Sequence, residues 1–175
     1  VTGGPVELLW VKPRWDSHMG FLPLPPERRP PPDNHAVERT VRIEAGLDTV
    51  WDVLGDHRGM PKWFPLDSVT LDREGRPAPN GVGAERVMRG PKMNLREQVT
   101  GLEPPRSLRY RLLEGAPIAC HQGEVALAPT PGGCELKWTI RFRPKIPGTA
   151  GIVRRAMESM LDETLPRMKA LAEQR

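Results

Sequence analysis

No apolar run in this 175-residue sequence approaches the roughly 18–20 residues that cross a bilayer as a helix. The N-terminus lacks a basic segment followed by an apolar one, which argues against a secretory signal and for a cytoplasmic location. Cysteine is scarce, with only Cys120 and Cys134. If 118–128 and 133–143 form a hairpin, Cys134 falls near Leu127, about 23 Å along the strand from Cys120. That is far beyond disulfide reach. Two thiols are no metal site either, and His18, His35 and His57, in loops or the N-terminal arm, lack ligand spacing. Nucleophile motifs, glycine-rich phosphate loops and HExxH are absent. The pattern calls for no metal and no cofactor.

A net charge of +4 and a pI near 9.4 raise the question of nucleic acid. Twenty of the 26 basic residues are arginine, but they are scattered among acids. Neither zinc-finger spacing nor an RNA-binding aromatic motif accompanies them, which favours a solvated basic surface. Hydrophobic residues at 38% and charged residues at 27% suit one globular domain.

Proline is concentrated in residues 1–36, at positions 5, 13, 23, 25, 26 and 30–32. Proline fixes φ and removes a donor, so this stretch reads as an extended or disordered arm. Trp10, Trp15 and Phe21 are candidates to dock it onto the domain, and Met19 is an internal start candidate. The arm is also a candidate docking peptide for a proline-recognising protein partner. Residues 37–175 read as the folded domain.

From Val37 the pattern alternates through Val41 and Ile43, as in a half-buried strand. Leu47, Val50, Trp51 and Leu54 then take helical spacing, and 61–64 forms a second short helix or turn ending at Pro65. Strand candidates follow at 67–74, 82–89, 93–103, 107–114, 118–128 and 133–143, separated by Gly/Pro turn chemistry. Successive hairpins imply an antiparallel sheet. After Pro147-Gly148 the apolar period becomes helical for about 25 residues, with Pro166 expected to kink the last third. Asp52 and Asp56 share a helix face and are read as solvent-facing.

The segments Val41–Ala45 into Val50–Leu54, Trp63-Phe64-Pro65, Gly81–Arg86, Arg96–Val99, Glu103–Tyr110 and Leu136–Trp138 come in an order that resembles the START/Bet v 1-like (SRPBCC) superfamily. Within it the resemblance is to bacterial polyketide cyclase/dehydrase-type proteins. It covers roughly residues 37–173. It departs at Ala45-Gly46-Leu47, where relatives usually place a proline. The resemblance implies an α+β helix-grip fold: a seven-stranded antiparallel sheet wrapped around a long C-terminal helix, with two short helices between strands 1 and 2. It also implies an apolar cavity that opens between the 59–66 segment and the C-terminal helix.

Requiring apolar faces to agree turns Leu136, Trp138, Ile140 and Phe142 inward, opposite Leu127, Val125, Gly123 and His121. The same rule points Leu108, Tyr110 and Leu112 inward, with Tyr110 opposite His121. It also selects Leu95, Glu97 and Val99, and Ala84, Arg86 and Met88. Four polar residues thus fall on an oily face: Arg86, Glu97, Tyr110 and His121. Trp63, Met88, Leu95, Trp138, Met157, Met160 and Leu161 complete the candidate ligand-binding set. Each has a second reading: Arg86–Glu97 as a satisfied core bridge, His121 as a hydrogen-bonded strand-end histidine, and Tyr110, the tryptophans and the methionines as core.

Three functions compete. The first is binding of a hydrophobic small molecule (lipid-, polyketide- or terpenoid-like) oriented by the polar diagonal. The second is polyketide aromatase/cyclase activity, in which Arg86 or Tyr110 polarises a carbonyl and Glu97 or His121 moves a proton. The third is a protein-interaction module using the arm or the outer sheet face, where Arg96, Arg109, Arg111 and Lys137 point.

Overall fold

The computed structural model describes residues 35–91 and 93–175. The proline-rich arm therefore lies outside the described residues, except that His35 and Ala36 open the first strand instead of ending the arm. Seven strands form one sheet: β1 (His35–Ile43), β2 (Ser68–Arg73), β3 (Glu85–Gly90), β4 (Met93–Glu103), β5 (Ser107–Glu114), β6 (Ile118–Thr130) and β7 (Gly133–Pro144). Their order is β1-β7-β6-β5-β4-β3-β2, with every neighbouring pair antiparallel. The first strand closes against the last, and the sheet curls around the helix α2 (Ala150–Glu173). This is the helix-grip architecture.

Between β1 and β2 lie α1 (Leu47–Gly55) and a 3-10 helix, His57–Lys62. The face of α1 bearing Val50, Val53 and Leu54 is buried, as its apolar spacing requires. The second helix starts earlier than its prolines suggest, because Asp56 caps it. The Asp56 carboxylate accepts from the Gly59 amide at 3.0 Å, and a Cβ at Gly59 would overlap that carboxylate. His57, expected in a loop, is consequently drawn inside with no solvent exposure.

The β6–β7 hairpin keeps the expected register, Leu127↔Leu136, Val125↔Trp138, Gly123↔Ile140 and His121↔Phe142. Its loop is shorter than expected. Thr130 still pairs with Gly133, leaving only Pro131 and Gly132 (φ +78°) in the turn, the residue order of a type II turn. Cys134 accordingly sits opposite Pro129, not near Leu127. Both thiols are free, Cys134 buried and Cys120 half-buried. β3 starts three residues later than its apolar pattern suggests, because 75–84 forms a tight loop closed by Arg76 and Val82.

One strand pairing departs in a way that shapes the interior. The β5–β6 ladder runs only from Ser107↔Ala126 to Tyr110↔Gly123. Tyr110 therefore lies opposite Gly123 and meets His121 diagonally, with ring centroids 5.6 Å apart. A Cβ at residue 123 would strike the Tyr110 ring, so glycine there makes room for the tyrosine. Beyond this point the strands part, and the gap becomes one end of a cavity.

The C-terminal half of α2 is core, with Leu161, Thr164, Leu165, Met168 and Ala172 buried. The helix runs through Pro166 as one element. Its first ten residues contribute no buried side chain. On the outer sheet face the expected cations are engaged: Arg96 with Glu85 and Asp72, Arg109 with Glu103, Lys137 with Glu38, and Arg111 with Gln98. No helix among the described residues is long and apolar enough to cross a membrane.

Candidate functional site

A cavity of about 400 Å³ lies between the inner face of the sheet and the N-terminal half of α2. Its sheet wall carries Arg86 and Met88 from β3, Met93, Leu95 and Glu97 from β4, Tyr110 and Leu112 from β5, Ile118 and His121 from β6, and Trp138 and Ile140 from β7. The helix contributes Ile152, Val153, Ala156, Met157 and Met160. Met60 and Phe64 close the end near the 3-10 helix, and both are buried. The exposed rim is elsewhere, at Gly115, Pro117, Ile152 and Ala156. The mouth thus faces the β5–β6 loop and the first turns of α2, not the 59–66 segment.

Nine of the eleven candidate residues line this space: Arg86, Met88, Leu95, Glu97, Tyr110, His121, Trp138, Met157 and Met160. Trp63 and Leu161 do not. Trp63 is 1% exposed and packs edge-on behind Trp138, with centroids 6.4 Å apart, and Leu161 is fully buried under the helix. Both are large apolar residues whose spacing marks an inward face without saying which side of the cavity wall they occupy.

The polar residues form one connected wall. Arg86 stands opposite Glu97 in the β3–β4 ladder. Both are nearly inaccessible, at 3% and 5% exposure. The Arg86 Nε and Nη2 groups donate to the same Glu97 oxygen, Oε2, at 3.1 and 2.8 Å. The guanidinium carbon also lies 5.1 Å from the Tyr110 ring centroid, within cation–π range. Trp138 donates its indole N–H to the Tyr110 hydroxyl at 2.8 Å. The Leu112 amide, left without a β6 partner where β5 and β6 part, donates to His121 Nδ1 at 3.3 Å.

Protonation follows from these surroundings. Burial pushes the Tyr110 hydroxyl well above its ordinary pKa, the Glu97 charge adds to the rise, and Arg86 and the Trp138 bond oppose it. Burial lowers His121, with Glu97 acting against the shift and Arg86 with it. His121 is therefore neutral, and because Nδ1 accepts, its proton sits on Nε2. His57 is a polar residue that sequence patterning misses. Burial first, then the Arg86 charge, push it down to about 3. Neither of its ring nitrogens has a hydrogen-bond partner among the described residues. Among the described residues no cluster of three or more His, Cys, Asp or Glu side chains could hold a metal ion.

The family described as polyketide cyclase/dehydrase and lipid transport matches residues 34–173. The chain belongs to that family. Solved structures of similar fold include the following three. A START superfamily protein from Mycobacterium smegmatis superposes with a TM-score of 0.70 at 15% identity, over 80% of this chain and 98% of the other. The Zhui aromatase/cyclase from a Streptomyces species gives 0.63 at 23% identity, over 81% and 95%. A major latex-like protein from Panax ginseng gives 0.65 at 14%, over 78% and 96%. These likenesses establish the SRPBCC fold. A search of curated proteins finds no match.

Proposed function

We propose that this polyketide cyclase/dehydrase and lipid transport family member binds a hydrophobic small molecule, lipid-, polyketide- or terpenoid-like, in the cavity between sheet and α2. In this reading residues 35–175 are the ligand-binding domain, and the proline-rich residues before them are an appended arm. The carrying observation is the cavity itself: about 400 Å³, walled mainly by Met, Leu, Ile and Val, with its polar groups confined to one side. Apolar burial, at about 25 cal/mol per Å² removed from water, supplies affinity, and the polar wall supplies orientation.

Aromatase/cyclase chemistry is the second reading, favoured by one specific observation. Tyr110, a hydroxyl held protonated, and neutral His121 lie on the same wall, 5.6 Å apart between ring centroids. A hydroxyl donor beside a neutral imidazole is a set that can polarise a carbonyl and accept a proton.

Filling the cavity tests the binding reading. Met157 is half-buried on the helix wall, and Met157→Trp places an indole in the ligand's space. Binding of the neutral probe N-phenyl-1-naphthylamine is expected to weaken by about tenfold or more, with the thermal melt little changed, because the site is already solvent-accessible. Unchanged probe affinity would place binding outside this cavity.

A further inference from the structure

We propose that the cavity selects ligands whose buried end is uncharged and carries both a hydrogen-bond acceptor and a donor, and that Glu97 sets this selectivity. The inference rests on the ligand-binding reading above and specifies the ligand's chemical class.

The polar wall holds one cation and one anion, Arg86 and Glu97, each almost wholly withdrawn from water and bonded to the other. Their charges cancel. His57 and His121, the two buried or half-buried histidines near Arg86, are both held neutral by burial. A carboxylate or phosphate entering headgroup-first would add a negative charge beside the Glu97 carboxylate, with no other Lys or Arg among the described lining residues to balance it. Burying an unpaired charge is far costlier than burying a hydrogen-bonded neutral group. Without Glu97, Arg86 would instead be an unpaired guanidinium in an apolar cavity, a good carboxylate site.

The hydrogen-bond inventory then shapes the neutral end. Tyr110 Oη accepts from Trp138, so its own proton is free to be given away, and no protein acceptor for it exists among the described residues. His121 accepts at Nδ1 and offers a proton at Nε2. Glu97 receives both Arg86 bonds on Oε2, leaving Oε1 without a protein donor among the described residues. Two donors and one acceptor on a single wall fit a ligand end that pairs a carbonyl with a hydroxyl. A plain hydrocarbon would leave all three unpaired, at a cost.

Two probes of equal chain length isolate the headgroup: 1-hydroxy-2-dodecanone, neutral, and dodecanoate, ionised at about pH 8. Titration calorimetry on the full chain is expected to show the hydroxyketone binding at least about tenfold tighter. Glu97→Gln should narrow or invert that ratio by freeing Arg86. The double variant Arg86→Met/Glu97→Gln, neutral again, should restore preference for the hydroxyketone. If Glu97→Gln proves too unstable to titrate, the wild-type ratio and the double variant still decide. Equal affinities, or tighter dodecanoate, in the wild-type protein would overturn the selectivity while leaving ligand binding intact. Binding of neither probe would overturn the ligand-binding reading and this inference with it.

Discussion

Glu97→Gln is expected to destabilise the fold by about 3–5 kcal/mol, the cost typical of removing one partner from a buried ion pair. The reason is Arg86, which is 3% exposed and gives two hydrogen bonds to one Glu97 oxygen. A glutamine keeps the shape but leaves the guanidinium charge uncompensated in a low-dielectric wall. Glu85→Gln is the control. Glu85 also meets an arginine, Arg96, at 2.8 Å, but on the outer face, where Arg96 has a second carboxylate in Asp72 at 3.1 Å and partial access to water. Its loss is expected to cost about 1 kcal/mol or less. Arg86→Met/Glu97→Gln should recover much of the lost stability, because it removes both charges together. Urea melts of the three variants check this. Equal losses for Glu97→Gln and Glu85→Gln would mean that Arg86 is not confined as described.

Acid should weaken the protein well before its surface carboxylates titrate. His57 is wholly buried, and its folded-state pKa lies near 3, against an ordinary value of 6.5. Between those values the unfolded chain binds a proton that the native state refuses, so stability rises with pH across that window and falls as pH drops through it. From pH 7 to pH 5 the loss from this one group is about 2 kcal/mol, at 1.36 kcal/mol per unit below the unfolded pKa. His121, also lowered, adds to the loss in the same direction. In His57→Leu about 2 kcal/mol of the loss between pH 7 and pH 5 should disappear, leaving the share due to His121. An unchanged slope would show that His57 is protonated in the folded state.

The sheet and its polar pair were legible because the β6–β7 hairpin keeps its register through the core positions and the β3–β4 ladder runs without a shift. Once Leu136, Trp138 and Phe142 face inward, the period of two carries Arg86 and Glu97 to the same side. Tyr110 and His121 came through with the right face but the wrong pairing. The β5–β6 connection through Gly115-Ala116-Pro117 is not a tight hairpin, and the ladder ends at Tyr110–Gly123, so the loop imposes no register. His57 was illegible. Its burial depends on the Asp56 cap closing onto Gly59 and turning the chain inward, a tertiary consequence without a periodic signature. The cavity mouth was expected at the 59–66 segment because the resemblance implies it there, and apolar spacing could not correct that expectation. Apolar spacing on α2 is continuous from Ile152 onward, yet Ile152 is 73% exposed while Leu161 is 0% exposed. Periodicity shows which face of the helix is oily, but not how much of that face the sheet covers.

The most direct test of ligand binding is native mass spectrometry of the full chain purified gently from its own host, followed by organic extraction and identification of what is released. The protein is expected to carry a stoichiometric small molecule, mainly apolar and with an uncharged oxygenated end, that is lost from the Met157→Trp variant. A wild-type protein that is persistently empty, and that takes up neither N-phenyl-1-naphthylamine nor 1-hydroxy-2-dodecanone, would contradict the account.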